Sequence, residues 1–460
     1  MNSWAKAIKK ASDSVAAPNS VLSIFSEMRR ESVPTDSFSI LFVVKSCTRL
    51  RDPGLVRHLH CHAFKVGLGG HVYVASSLLH AYVVASFVDA CRLFDEIPER
   101  STVTWNTMIA GYTRAGDVAK SRELFDGMPM RDVASWSAMI AGYVNNNDGV
   151  RGLLLFREMM LSAAEEEQLV PDQATVCSAL TGCARMGKIG LLLGRAIHGY
   201  VVRSVWQLNV EIGTVLVDMY AKCGSLQVAH RVFEAMEDRN VMTWTALICG
   251  SSQHGFGKEV LRLFEVMLDF GVKPNELTFT GVLSACMNSG LVEEGKMYFR
   301  MIQESGLSLK VHHYGCMVEL YGRMGLLEEA LEMIEGMKVE PNAVVWGSYL
   351  SACRQNKRFD MAERVIDRVM GLIKPENDGG VYSLICDIYF LSEKWADAER
   401  VRRLMLDRKV RKIRGSSSVE GGRRSLLGRG ASNRDSCSLR LFPGESNYKL
   451  PSLREIIFNS

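Results

Sequence analysis

Between Val103 and Met128 the apolar residues fall into two stripes separated by a break. Trp105, Met108, Ile109 and Tyr112 stand at i, i+3, i+4 and i+7, the spacing of one helix face. Arg114-Ala115-Gly116-Asp117 interrupts the pattern, with Gly116 suited to a left-handed cap and Asp117 to the N-cap of a second helix. Val118, Ser121, Leu124, Phe125 and Met128 then form a second stripe, which Pro129 closes. The stretch predicts an antiparallel helical hairpin.

The hairpin recurs. Trp105-Asn106-Thr107-Met108-Ile109-Ala110-Gly111-Tyr112 returns as Trp136-Ser137-Ala138-Met139-Ile140-Ala141-Gly142-Tyr143, and again as Trp244-Thr245-Ala246-Leu247-Ile248. Phe94, Phe125 and Phe156 are 31 residues apart, as are Phe233 and Phe264. A period in the thirties marks a solenoid, because one hairpin cannot bury its apolar face without neighbours. Units are expected to begin at Met1, Ser37, Val72, Thr102, Val133, Gln173, Val210, Val241, Glu276, Val311, Ala343 and Asn377, with lengths of 30 to 40 residues.

Composition refines this only a little. The chain of 460 residues is 47% hydrophobic and 23% charged, with net charge +4. That balance permits nucleic-acid binding without arguing for it, since one face decides such contacts. No apolar run reaches the roughly 18 residues of a membrane span, so a soluble chain without membrane partners is expected. Of twelve cysteines none makes a Cys-x-x-Cys. Cys47, Cys183, Cys286 and Cys353 occupy the eleventh place of their units, which suits small buried hydrophobes in a reducing compartment.

Several phrases carry a resemblance. Val103 to Tyr112, Asp218-Met219-Tyr220-Ala221-Lys222-Cys223-Gly224 and Gly271-Val272-Lys273-Pro274-Asn275 resemble the standard, long and short repeats of plant pentatricopeptide repeat proteins with alternating repeat lengths. His60 and His198 fit the long repeats. The resemblance implies an all-α fold, a right-handed α-solenoid of helix-turn-helix repeats, with the array over residues 1–342. Ala343 to Cys353, Tyr382 to Tyr389 and Trp395 to Arg402 resemble the E-type C-terminal extension of RNA-editing members, placed at 343–412. Where that family has Gly-Cys-Ser-Trp-Ile-Glu, this chain reads Gly415-Ser416-Ser417-Ser418-Val419-Glu420, and a divergent basic tail, expected to be disordered, fills 413–460.

The resemblance also implies a site. In this family the fifth residue of a unit's first helix and the unit's last residue read one base on its Watson–Crick edge. The pairs are Ser76/Ser101, Asn106/Asp132, Ser137/Asp172, Thr214/Asn240 and Thr245/Asn275. The ring atom at the centre of that edge is an N–H in uracil and guanine and a lone pair in adenine and cytosine, so Asp suits the first two and Asn the second two. The implied reading is U for Asn106/Asp132, G for Ser137/Asp172 and A for each Thr/Asn pair, with a weaker purine reading for Ser76/Ser101. Cys177/Asn209 and Thr280/Lys310, in long repeats, receive no base. Val103, Ala134 and Met242 suit the second position, an apolar wall for base stacking, whereas Glu211 does not. The alternative is that the pairs are plain turn and N-cap residues.

No catalytic residue or cofactor is expected. The His-x-Glu and Cys-x-x-Cys of a zinc deaminase are missing from the sequence. His58, His60, Cys61 and His62 are the one dense set of conceivable metal ligands, though they equally fit a repeat helix. The expected partner is single-stranded organellar RNA, with a deaminase-bearing or other editing-complex protein joining in trans. Alternatives are an RNA-stabilising or processing factor and a protein-interaction scaffold. Lys6, Lys9 and Lys10 without an acid in Met1 to Ser12 hint at targeting, to mitochondria first and chloroplasts second, although the same residues fit a first repeat helix.

Overall fold

The computed structural model describes residues 3–13, 18–165, 169–204, 206, 208–374 and 378–407. Its regular structure there is entirely helical: twenty-four α-helices and one short 3-10 turn at Gly187–Gly190. The chain forms two compact units, Met1–Ala285 and Cys286–Ser460. The expected tail at 413–460 lies outside the described residues.

Helices alternate as first and second members of hairpins. First helices begin at Ser37, Val72, Thr102, Val133, Gln173, Val210, Val241, Glu276, Val311 and Ala343, each an expected unit start. Caps explain that sharp register. Asp36, Ser101, Asp132, Asp172, Asn209, Asn240 and Asn342 each present a side-chain oxygen to a backbone N–H in the first turn of the following helix, which is typically worth about 1 kcal/mol. Between the helices of the Thr102 hairpin, Gly116 has φ +85° and Asp117 caps Lys120. The lysine-bearing segment Ser3–Asp13 is a helix, with Ala5 and Ile8 buried.

Stacking within the first unit rests on a repeated aromatic joint. Phe94, Phe125 and Phe233, from second helices, meet Trp105, Trp136 and Trp244 of the next first helices edge to face at 5.2, 5.1 and 4.7 Å. Each such pair contributes about 0.5–1.5 kcal/mol beyond the area it buries. An arginine completes each joint. Arg100, Arg131 and Arg239 lie 4.4, 4.8 and 4.9 Å from the phenylalanine ring centres. Their Nε atoms donate to the carbonyls of Phe94, Phe125 and Phe233 near the ends of the second helices. Sequence periodicity marked the phenylalanines and tryptophans, but not these arginines.

First helices also pack closely on each other. A Cβ at Gly142 would collide with Thr113, and one at Gly250 with Ala221. The eleventh-place cysteines are at most 1% exposed. Burial pushes the thiols of Cys47 and Cys353 up to about 11 and those of Cys183 and Cys286 up to about 12. They are inert core residues. No described helix is long and apolar enough to cross a membrane.

Candidate nucleic-acid interface

Within the first unit, the first helices of successive hairpins pack side by side. Each fifth residue there sits near the last residue of its own unit, because that last residue caps the neighbouring first helix. The two members of a pair are therefore brought together by helix stacking, across 25 to 35 residues of chain.

The geometry is clearest at Asn106/Asp132. Asn106 Nδ2 donates to Asp132 Oδ1 at 3.3 Å. The same oxygen accepts the Ser135 backbone N–H at 2.8 Å and the Ser135 hydroxyl at 2.6 Å. Burial works against the charge, but the Ser135 and Asn106 bonds prevail and hold the carboxyl below its ordinary range. Asn106 Oδ1 is buried with no hydrogen-bond partner. At Ser137/Asp172 the carboxylate Oδ1 is likewise bound, by the N–H and hydroxyl of Thr175 at 2.8 and 2.6 Å.

The Thr/Asn pairs follow suit with an amide. Asn240 Oδ1 accepts the N–H groups of Met242 and Thr243 at 2.9 and 3.0 Å and the Thr243 hydroxyl at 3.2 Å. Thr214 Oγ1 lies 2.7 Å from Thr243 Oγ1. Asn275 Oδ1 accepts the N–H and hydroxyl of Thr278 at 2.9 and 3.0 Å. In both, the cap consumes the oxygen and leaves the –NH2 as the remaining donor, which in Asn275 meets Met242 Sδ at 3.9 Å. Thr245 differs from Thr214. It is only 5% exposed, and it donates to the Val241 carbonyl while touching Thr278 Oγ1. At the first pair, Ser101 caps Thr104 and Ser76 donates to the Val72 carbonyl.

Several second positions are apolar and open, while Glu211 and His312 are polar. Val103 is 59% exposed, Met242 48%, and Ala134 is exposed as well. Sequence reading missed Phe38, Tyr73, Leu277 and Val344, which hold the same place and are also exposed. Each is a large apolar side chain left open to solvent.

Models of the PPR repeat match residues 103–133, 134–162, 214–241, 277–307 and 312–340, and a PPR repeat family model matches 239–288. Among curated relatives, pentatricopeptide repeat-containing protein At1g77170, mitochondrial, of Arabidopsis thaliana is 34% identical over 401 residues, which are 86% of this chain and 77% of that protein. This chain belongs to the pentatricopeptide repeat family. It is also 36% identical over 408 residues to the Arabidopsis thaliana protein CRR2, chloroplastic, covering 87% of this chain but only 56% of that one. The chain thus spans little more than half the length of that relative. Among solved structures it is similar to maize PPR10, at 15% identity and TM-score 0.43 over 89% of this chain and 74% of that one.

Other features of these pentatricopeptide repeats have structural explanations. His58 Nδ1 faces the Gly54 carbonyl at 2.8 Å, His60 Nδ1 the Tyr82 hydroxyl at 3.3 Å and His62 Nε2 the Thr35 hydroxyl at 3.1 Å. No group of three ligands that could hold a metal occurs among the described residues. His198 repeats the His60 arrangement with Tyr220, at 2.9 Å. Asn209, given no base, has both amide atoms paired with Gln173 at 3.2 Å, and Gln173 also donates to Glu211 at 2.9 Å.

Proposed function

We propose that the chain binds single-stranded organellar RNA in a sequence-specific way, one base per repeat. The observation that carries this is the shared geometry of Asp132, Asp172, Asn240 and Asn275. In each, one oxygen caps a helix and leaves a second polar atom, acceptor in Asp and donor in Asn, at the start of the groove-facing turn. A plain N-cap needs the first atom only, and the proposed reading uses the second. The exposed second positions supply apolar surface against which bases stack, at roughly 1–3 kcal/mol per base.

Within that reading the array at 1–342 alternates standard, long and short repeats, followed by an E-type extension at 343–412 and a separate tail at 413–460. The task is to mark cytidines for C-to-U editing. In this reading the chain supplies recognition, and the deaminase acts in trans. Mitochondria are the first compartment to test and chloroplasts the second, one relative being named mitochondrial and another chloroplastic. Gel shifts with matched single-stranded and duplex RNA test the binding. Clear preference for the single strand is expected, because duplex pairing hides the edge being read, and equal affinity would reduce the interaction to charge. Crosslinking in the source tissue, followed by sequencing, then asks whether the bound transcripts carry edited cytidines.

A further inference from the structure

Each reading pair has a third member that neither the pair assignment nor the apolar periodicity singles out. The third residue of the following first helix is Thr104, Ser135, Thr175, Thr243 or Thr278, and each is at most 2% exposed. A buried hydroxyl in an apolar stripe calls for a partner. Its partner is the cap: Ser101 Oγ lies 2.7 Å from Thr104 Oγ1, and Ser135, Thr175, Thr243 and Thr278 donate to their caps at 2.6 to 3.2 Å. In three pairs the hydroxyl also meets the fifth residue, most closely at Thr214–Thr243 and Thr245–Thr278, both 2.7 Å. Where the third residue is Ile212 there is no such link, and Asn209 pairs with Gln173 instead. The unit ending at Asn209 is also the one within the run that is given no base.

We infer that the third-position hydroxyl is a positioning residue that sets base choice through its neighbours, and that Thr243 does so for Thr214/Asn240. The inference rests on the base-reading function proposed above. Asn240 Oδ1 has no proton, so Thr243 donates to it. Thr243 then receives the Thr214 proton across 2.7 Å. With its own proton committed, Thr214 offers only lone pairs to the groove, beside the Asn240 –NH2. Acceptor plus donor complements adenine, whose edge carries an amino group and a ring lone pair. Guanine presents a carbonyl and a ring N–H, the reverse on both counts. The hydroxyl at 243 therefore fixes the polarity of the Thr214 hydroxyl.

The experiment measures affinity for two single-stranded RNAs that differ only in A or G opposite this repeat, using wild type, Thr243→Val and Thr243→Ser. Thr243→Val keeps the side-chain shape and frees the Thr214 proton. Wild type and Thr243→Ser are expected to prefer A by about 5- to 150-fold, and Thr243→Val to fall below about 3-fold while its affinity for the A strand and its melting temperature stay close to wild type. Thr214→Val, which removes the acceptor but leaves the cap, is expected to show the same loss. A full A preference retained in Thr243→Val overturns the inference while leaving base reading intact. A Thr243→Val protein that weakens on both strands alike, with a lowered melting temperature, also overturns it, because the hydroxyl is then only a structural support. Wild type with no preference between A and G removes the base reading and the inference together.

Discussion

Asn106 and Asp132 are joined through one oxygen: Asn106 Nδ2 donates to Asp132 Oδ1 at 3.3 Å while that oxygen also caps Ser135. The fifth residue of one repeat is thereby fastened to the residue that starts the next. Helix capping and the proposed base reading are consequently not rival roles for Asp132, since they use different atoms of the same carboxylate.

Asn240→Asp separates the two roles. Asp132 and Asp172 show that an aspartate caps this type of helix with one oxygen, so the hairpin should keep its start and its stability within about 0.5 kcal/mol. The second atom changes from a donor to an acceptor. The preferred base opposite this repeat is expected to move from A toward G, with discrimination of about 1–3 kcal/mol. Binding to RNAs that differ at that base is the check, and uniform weakening on all of them would leave Asn240 as a cap alone.

Phe125→Ala tests the aromatic joint. Phe125 is fully buried, sits edge to face with Trp136 and lies beneath Arg131. Removing the ring is expected to cost about 3–5 kcal/mol locally. Hydrogen exchange should show faster opening centred on the hairpins at Thr102 and Val133, with little change beyond Val241, because repeats are stabilised by their neighbours. Uniform loss of protection along the chain would contradict a modular array.

The histidine–tyrosine pairs give a pH dependence. Burial lowers the His60 and His198 pKa values from near 6.5, with Glu96 partly opposing this at His60. The unfolded chain therefore binds more protons than the folded one between the folded values and about 6.5. Stability is full above that window and declines as pH falls through it. The loss of melting temperature between pH 7.5 and pH 5.5 is expected to be smaller in His60→Gln/His198→Gln than in wild type. An equal loss in both proteins would assign the effect to other groups.

The fold was largely legible from sequence because an i, i+3, i+4, i+7 stripe repeated at a near-constant period leaves little freedom in where helices start. The caps sharpened it: Asp132 and Asn240 stand where the apolar pattern resumes. The sequence pattern supplied the proposed pairs of the candidate site but not the hydroxyls beside them. Thr243 and Ser135 resemble the weakly polar residues tolerated in any first turn, and only their burial beside the caps singles them out. The arginine clamp at Arg131 escaped notice because its partners are backbone carbonyls and a ring face, which leave no complementary charge in the sequence. The openness of Tyr73 and Val344 was equally hidden, since an apolar residue near a helix start reads as core.

Selection of bound sequences from a randomised single-stranded RNA pool tests the central claim most directly. The repeats starting at Thr102, Val133, Gln173, Val210 and Val241 are expected to enrich U-G-x-A-A, read 5′ to 3′, with x unrestricted. A chain carrying Asn106→Ala, Ser137→Ala, Thr214→Ala and Thr245→Ala should still bind RNA through its stacking surface but lose that consensus. Recovery of the same consensus from both chains, or of none from wild type, would contradict the account.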